Sequence, residues 1–346
     1  MDQKIAFQLA NTACPSIAYR IRKEIFHEDT ASPEMKALQG KILAEKEVVR
    51  ILALQKEDGW LGGYFHGTNE PESAIRYLME KGVEPSHPAV QAALRAITAR
   101  GEEFDRGCME RVGKPLDEWH LGGSKLMRAW VFACAGEENH DFVRERIDEA
   151  LDVFRFAAGV RRMEDVYETY KGINVFRPFV QWPCVYHLRL LAHTKMWRTQ
   201  ENTAMLARAV TRLAELSPIP PIKLLHKHQV ISPASVYMNN FNDDMAALDG
   251  REWMLWFHRT EMVARLKVIP LVEAMGRQLT QVRQMLHDSG GMFTKKLRHY
   301  YFTKWTQYTG LSLEADWLSA QNRVNDLTFR WLLIEAYSNS PYATAS

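Results

Sequence analysis

The sequence predicts an all-α protein, and two observations support this expectation. Apolar residues recur at three-to-four spacing, as on one face of an α-helix, in the segments 89–99, 141–156, 202–216, 271–286 and 327–337. No region alternates apolar and polar residues between hairpin turn pairs, so no sheet is expected. Helix pairs of this kind bury their apolar faces by stacking side by side, as a solenoid or a closed ring.

Each helical segment carries its own local signals. The segment 89–99 is rich in small apolar residues and follows a Ser-His-Pro sequence typical of a helix start. The segments 141–156 and 202–216 each place a single apolar stripe on one helix face, formed by Val143, Ile147, Ala150, Leu151 and Phe154 in the first and by Leu206, Ala209, Val210, Leu213 and Leu216 in the second. Glycine or proline clusters separate the helical segments.

The composition is that of a globular chain with a large core. The chain has 346 residues, of which 46% are hydrophobic and 25% are charged. A net charge of +2 is too small to indicate nucleic acid or an anionic membrane as the main partner. The N-terminus lacks the apolar stretch of a signal peptide, and no window approaches the roughly 18 apolar residues of a membrane span. We therefore expect a cytoplasmic protein.

The cysteines and the proline-rich break bear on domain organisation. The four cysteines are far apart and form no C-x-x-C pair, so we expect reduced thiols rather than a zinc ribbon or a disulfide scaffold. The proline-rich run at 217–221 is a candidate linker, but helices of the same kind resume after it. We expect one domain over residues 1–346, with a loop at 217–221.

The most informative stretch is Gln55-Lys-Glu-Asp58-Gly59-Trp60, followed by a Gly-Gly loop. Gly59 can adopt a positive φ where a helix ends. Gln55, one turn earlier, can bond to the exposed backbone groups there. Trp60 can fold back and cover the gap between adjacent helical hairpins.

This stretch resembles the Q-x-x-D-G-W repeat of the terpenoid cyclase and protein prenyltransferase superfamily, which includes the squalene–hopene cyclases. The flanks are similar as well, because Pro15-Ser-Ile-Ala-Tyr-Arg20 looks like the N-terminal segment of many bacterial squalene-cyclase-like proteins, and 77–94 looks like the helix pair after the motif. A degenerate second copy spans Gln284 to Phe293. The resemblance implies an α/α toroid, a ring of antiparallel helical hairpins around a central cavity; the alternative is an ordinary helical array.

The resemblance does not extend to the known chemistry of the superfamily. Cyclases that protonate an alkene use D-x-D-D, whereas Phe241 stands in place of the leading Asp before Asp243 and Asp244. The D-x-C zinc pair of the prenyltransferases is absent, and the third Asp of D-D-x-x-D is replaced by Ala247. The sequence therefore predicts neither a metal nor a cofactor, with scattered combinations of the twelve His residues as the alternative source of metal ligands.

Two further sites follow from residue chemistry alone. His66 comes soon after the Gly-Gly loop, next to aromatic residues, and can act as an acid or base or bind a substrate hydroxyl; the alternative is a loop histidine bonded to backbone. Glu164 and Glu168 are four residues apart and would share a helix face, either as an acid and base pair or as solvated surface.

The segment 293–310 interleaves basic and aromatic residues. Such a pattern can hold a phosphate or carboxylate beneath a stacked ring. It is equally suited to a nucleic-acid surface. The third alternative is an amphipathic helix with a basic outer face.

Together these observations predict an enzyme that acts by acid/base chemistry on a small terpenoid or carbohydrate-like substrate in an aromatic-lined central cavity. The catalytic candidates are Asp243, Asp244, His66 and Glu314. The substrate-binding candidates are Trp60, Tyr64, Lys295, Lys296, Arg298, Tyr301 and Trp305. Two alternatives remain: a non-catalytic toroid that binds a ligand or a protein, and a nucleic-acid-binding protein that uses 293–310.

Overall fold

The structure, a computed structural model, describes residues 2–339 apart from the side chain of Glu102. These residues are mostly helical, as predicted. Their α-helices, numbered α1 to α14, are Gln3–Thr12, Pro15–Glu24, Pro33–Leu43, Lys46–Leu52, Pro71–Lys81, Pro88–Ala99, Gly113–Glu118, Ser124–Cys134, Asp141–Gly159, Val185–His193, Gln200–Leu216, Gly250–Arg265, Glu273–His287 and Ala320–Asn339. Every segment with helical periodicity in the sequence is a helix in the structure, namely α6, α9, α11, α13 and α14.

The described chain separates into two compact units. Unit 1 contains the residues up to Gly101 together with Leu248–Glu261 and Gln281–Asn339. Unit 2 contains Glu102–Ala247 and Met262–Thr280. The proline-rich run at 217–221 is a loop after the end of α11, and the residues on both sides of it belong to unit 2.

The apolar core of unit 1 joins both ends of the described chain. Ile17 and Ile21 lie one turn apart on α2 and pack with Leu9 of α1 and with Phe329 and Leu333 of α14. All five side chains are buried. The first and last helices of the described chain are therefore held together by ordinary hydrophobic packing.

Another face of α2 enters a buried ionic network in unit 1. Arg20 Nη1 lies 2.7 Å from Glu80 Oε2 on α5, and Arg330 Nη1 on α14 lies 2.8 Å from the same oxygen. Arg330 Nη1 is also 3.1 Å from Glu261 Oε2 on α12. Burial opposes the ionisation of Glu80, but the guanidinium groups of Arg330 and Arg20 outweigh it and hold the pKa of this carboxyl well below its ordinary value. The network therefore ties four helices together with paired charges.

Unit 2 is built mainly on the packing of α9 against α11, with α8 and α10 alongside. The stripes predicted from the sequence form the contact, since Val143, Ile147 and Phe154 of α9 and Val210 and Leu213 of α11 are all buried. This agreement is expected because an amphipathic helix is stabilised by burying its apolar face.

The expectation that the chain contains no sheet is wrong in one detail. Two short antiparallel hairpins lie in unit 2: β1 (Tyr167–Tyr170) pairs with β2 (Ile173–Phe176), and β3 (Leu224–His226) pairs with β4 (Gln229–Ile231). Between β1 and β2, Lys171 and Gly172 both have positive φ, 48° and 78°. Positive φ at both turn residues is typical of the type I′ turn of two-residue hairpins, and Lys-Gly is not among the residue pairs that usually signal this turn in a sequence.

The hairpin also changes the interpretation of Glu164 and Glu168. Glu164 lies in the short 3₁₀ helix Met163–Asp165, whereas Glu168 lies in β1. The two residues do not share a helix face, so the predicted pairing of these carboxylates is wrong.

The segment 293–310 is not an amphipathic helix either. Its only helical residues form the 3₁₀ turn Tyr300–Phe302. Backbone groups in this segment bond to other partners: Phe293 N donates to Thr328 Oγ1 at 2.9 Å, and Gly310 N donates to Tyr301 O at 2.9 Å. A loop whose backbone groups are hydrogen-bonded in this way can place side chains at positions that helical periodicity does not predict.

None of the helices in residues 2–339 is both long enough and apolar enough to cross a membrane.

Candidate functional site

The Gln55–Trp60 motif forms a packing element between α4 and α6. Gln55 Nε2 donates to Gly59 O at 3.0 Å and to Ala89 O in α6 at 2.7 Å. Gly59 has the predicted positive φ, and a Cβ there would lie 2.6 Å from Ala92 O. Trp60 is buried, and its Nε1 donates to Gly63 O at 2.8 Å. Gln55 thus bonds to backbone as predicted, but its acceptors lie in the turn and in α6 and not at the C-terminus of α4, which ends at Leu52.

A cleft of about 1020 Å³ opens in unit 1. Its walls come from the start of α2, from α4 and the residue before it, from α5 and from the loop before α14. Aromatic residues, carboxylates and cations line it together: Tyr77, Trp305 and Trp317; Glu45, Glu47, Glu314 and Asp316; and Lys46, Arg50 and Lys81. A concave site with aromatic walls and converging polar groups is the usual form of a small-molecule site.

Arg76 of α5 holds one wall of the cleft in place. It is buried, and its Nη1 donates to Thr306 O and Thr309 O, both at 2.8 Å. Its Nη2 donates to Gly310 O at 2.9 Å. The guanidinium lies 5.0 Å from the ring centroid of Trp305. One buried side chain thus fixes both the loop and the aromatic residue that the loop presents.

Two further residues of α5, one turn apart, complete this wall. The ring of Tyr77 meets Trp305 edge-on, with the centroids 5.0 Å apart. Lys81 Nζ donates to Leu313 O at 2.6 Å and forms an ion pair with Glu45. Lys81 therefore connects the carboxylate of Glu45 to the backbone immediately before Glu314.

Two carboxylates of the cleft bond to the start of α2. Glu314 Oε1 accepts from Cys14 N at 3.1 Å and from Asn325 Nδ2 at 2.8 Å. Glu45 Oε1 accepts from Ser16 Oγ at 3.2 Å. Within residues 2–339, Oε2 of Glu314 has no hydrogen-bond partner. One oxygen of Glu314 is thus anchored, and the other can accept a proton, or a hydrogen bond from a hydroxyl group, of a bound molecule.

Asp326 of α14 positions Glu314 because its carboxylate accepts from the backbone N–H of Glu314. Asp326 Oδ1 accepts from Leu313 N at 2.6 Å, and its Oδ2 accepts from Trp317 Nε1 at 2.7 Å. The side chain is buried, with 1% of its surface exposed. Burial raises the pKa of Asp326 from 3.8 to about 6, although these two hydrogen bonds lower it.

This raised pKa predicts a specific pH dependence. The folded state binds the Asp326 proton more tightly than the unfolded state, so its contribution to stability is present at low pH and is lost as pH rises from roughly 4 to 6. We expect the unfolding free energy of the wild type, relative to Asp326→Asn, to fall by about 2–3 kcal/mol over this range. Urea titrations of both proteins at pH 4, 5, 6 and 7 would measure it, and a difference that does not vary with pH would contradict the assignment.

His66 lies in a buried cluster elsewhere in unit 1. Its Nδ1 pairs with the buried carboxylate of Glu72, and its Nε2 is 3.4 Å from Tyr308 Oη. His66 is not among the residues that line the cleft. A histidine with one ring nitrogen bonded to a carboxylate is held in one orientation, as acid/base catalysis requires. The catalytic role of His66 stays a prediction.

Asp243 and Asp244 lie in a loop of unit 2. Asp243 Oδ1 accepts from Asn240 Nδ2 at 2.7 Å, and Asp244 Oδ1 accepts from Ala246 N at 3.1 Å. Phe241, which stands in place of the leading Asp of D-x-D-D, is buried. Both carboxylates thus make local turn contacts, and their predicted catalytic role is untested.

The predicted substrate-binding residues divide into two groups. Trp305 lines the cleft, as does the catalytic candidate Glu314. The residues that do not line it are Trp60, Tyr64, Lys295, Lys296, Arg298 and Tyr301. Tyr64 is exposed, and Trp60 is buried in the packing element described above.

Most residues of the cleft are not predicted by the sequence patterns. Tyr77 and Lys81 are one turn apart on α5, but nothing in the sequence connects them to Glu45 or Trp317. Their partners are distant in the chain, so only the folded structure brings them together. In the described residues, no group of three or more His, Cys, Asp or Glu side chains is arranged to hold a metal ion.

Comparisons of this chain with protein-family models, curated proteins and solved structures find no match.

Proposed function

We propose that the protein is an enzyme that binds a small hydroxylated, carbohydrate-like molecule in the cleft of unit 1 and uses Glu314 as a general base. The observation that carries this proposal is the geometry of Glu314. Its Oε1 is anchored by the N–H groups of Cys14 and Asn325, while Oε2 has no partner in the described chain. A base held in one orientation, with an oxygen able to accept, is suited to removing a proton from a hydroxyl group.

The lining of the cleft favours a hydroxylated substrate over a terpenoid. Trp305 and Trp317 line the cleft and supply aromatic rings that a sugar can contact. Glu45, Lys81 and Arg50 supply charged hydrogen-bonding groups at the same site. A terpenoid would cover Oε2 of Glu314 with hydrocarbon and offer it no hydrogen bond, which costs free energy, whereas a hydroxyl group would donate one.

The proposal includes the arrangement of the helices. We infer that they form an α/α toroid of the terpenoid cyclase and prenyltransferase type. Support comes from Gln55 and Gly59, whose contacts with α6 agree with the packing role expected of the Q-x-x-D-G-W repeat. The degenerate copy differs, because Gln284 Nε2 donates to Asp288 Oδ1 at 2.8 Å.

The proposed function can be tested by ligand-induced stabilisation followed by turnover. Cello-, chito- and malto-oligosaccharides would be screened by thermal shift, with farnesyl diphosphate as the terpenoid probe. A ligand at about 100 times its Kd adds about 2.7 kcal/mol of stability, enough to raise Tm by a few degrees. We expect an oligosaccharide to stabilise the protein and Glu314→Gln to lower its turnover by about 10²- to 10⁴-fold while binding persists.

Two matched variants locate the binding site. Trp305→Ala removes an aromatic wall of the cleft and should abolish the ligand-induced shift. Tyr64→Ala removes an exposed aromatic ring outside the cleft lining and should leave the shift unchanged. Stabilisation by farnesyl diphosphate alone would contradict the substrate class, and stabilisation that persists in Trp305→Ala but is lost in Tyr64→Ala would contradict the site.

A further inference from the structure

Five cations of unit 1 lie outside the cleft lining, four of them within residues 295–304 and the fifth against the ring of Tyr301, and together they are called the basic cluster. They are Arg251, Lys295, Lys296, Arg298 and Lys304. None of them forms an ion pair within residues 2–339. Some exposed arginines elsewhere are paired: Arg50, for example, is 2.6 Å from the carboxylate of Glu47. A group of like charges without counter-charges attracts anions.

The carboxylates closest in sequence to this cluster are engaged elsewhere. Glu252 N donates to Asp249 Oδ1 at 2.8 Å, and Asp249 N donates to Glu252 Oε2 at 2.9 Å. The two side chains thus bond to the first turn of α12, as in a capping box. Arg251, which lies between them in the sequence, does not pair with either.

Aromatic rings lie among these cations. Tyr300 is 56% exposed, and His299 stacks on it with the centroids 4.8 Å apart and the planes at 25°. Lys304 Nζ lies 5.8 Å from the Tyr300 centroid, and Arg251 Cζ lies 6.0 Å from that of Tyr301. The cluster therefore combines positive charge with an accessible flat ring.

We propose that the basic cluster binds single-stranded nucleic acid. The cations would contact phosphate groups, and an unpaired base would stack on Tyr300. The chemistry favours this ligand over a lipid surface because Phe293, Leu297 and Phe302, the apolar residues of the segment, are buried and unable to insert into a bilayer. It also favours nucleic acid over an acidic peptide, which would supply charge but no base to stack.

The proposal is independent of the function assigned to the cleft, because none of these cations lines it. The test is fluorescence anisotropy of the full chain with labelled 15-nucleotide oligo-dT and oligo-U at 50–200 mM salt. Each single-strand phosphate contact adds about 0.7 to the slope of log affinity against log salt. The triple variant Lys296→Gln/Arg298→Gln/Lys304→Gln should therefore bind more weakly, with a slope shallower by about 2.

Two controls separate specific contacts from general charge. Lys36→Gln/Lys41→Gln/Lys56→Gln makes the same charge change at exposed residues of unit 1 and should bind like the wild type. Tyr300→Ala should weaken binding by about 5- to 100-fold through lost stacking, while Tyr300→Phe retains the ring and the affinity.

Three outcomes would overturn the proposal. The first is equal weakening in both triple variants. The second is the absence of binding to either oligonucleotide, whether or not the protein binds phosphatidylserine vesicles. The third is competition by polyglutamate at the same charge concentration as the oligonucleotide, combined with no effect of Tyr300→Ala. Weakening confined to the basic-cluster variants, with the shallower salt slope, would support it.

Discussion

Replacing Arg330 with methionine is expected to lower the free energy of unfolding by about 3–5 kcal/mol. Arg330 is 1% exposed and neutralises two carboxylates, at 2.8 Å from Glu80 and 3.1 Å from Glu261. Its Nη2 also donates to Leu311 O at 2.8 Å. Methionine fills similar space but leaves buried negative charges with one fewer partner, and the low-dielectric surroundings make that costly.

Urea or guanidinium titration of the wild type and the variant would measure this loss. Arg277→Met is the matched control, because Arg277 is 55% exposed and its partner Glu273 is 87% exposed, so the pair is screened by water. We expect the control to change stability by less than about 1 kcal/mol. If the two variants lose equal stability, the network does not have the role assigned to it here.

The same network has a pH dependence opposite to that of Asp326. The pKa of Glu80 is held below its ordinary value, so the stability from its ion pairs is present above the unfolded pKa and is lost as pH falls below it. Asp326 has a raised pKa, so the stability that it contributes is lost as pH rises from roughly 4 to 6. A single acid titration of the wild type would mix the two effects, and the Asp326→Asn comparison separates them.

Sequence patterns predicted the helices well because an amphipathic helix carries its burial pattern locally. The 3.6-residue repeat in α9 and α11 is visible in the sequence whatever those helices pack against. The β1–β2 hairpin was missed because its signal is a two-residue turn, Lys171-Gly172, in which lysine adopts a positive φ that it seldom takes.

The cleft was predicted only in part, for a different physical reason. Glu314 and Trp305 could be selected because a carboxylate is a candidate acid or base, and an indole is a candidate binding surface, at any position in a sequence. Arg76 and Lys81 could not, because an isolated Arg or Lys in a sequence is usually solvated surface. Only the fold shows that these two cations are buried and bonded to carbonyl groups of the loop at 306–313.

Replacing Trp60 with alanine is expected to cost about 3–5 kcal/mol of stability. Trp60 is 1% exposed, its Nε1 donates to Gly63 O at 2.8 Å, and the guanidinium of Arg100 lies 4.3 Å from its ring. Alanine would leave a large cavity and an unpaired carbonyl. Gln55→Ala should cost less, about 1–3 kcal/mol, because it only removes donors from Gly59 O and Ala89 O.

Ligand binding distinguishes a structural role of Trp60 from the substrate-binding role that the sequence predicts. Trp60 does not line the cleft, so Trp60→Ala should lower Tm while the stabilisation by an oligosaccharide persists. Trp305→Ala should do the reverse, removing that stabilisation with a smaller loss of Tm, because its ring is only partly buried. If Trp60→Ala removes the ligand-induced shift in protein that is still folded, then the motif contributes to the binding site and not only to packing.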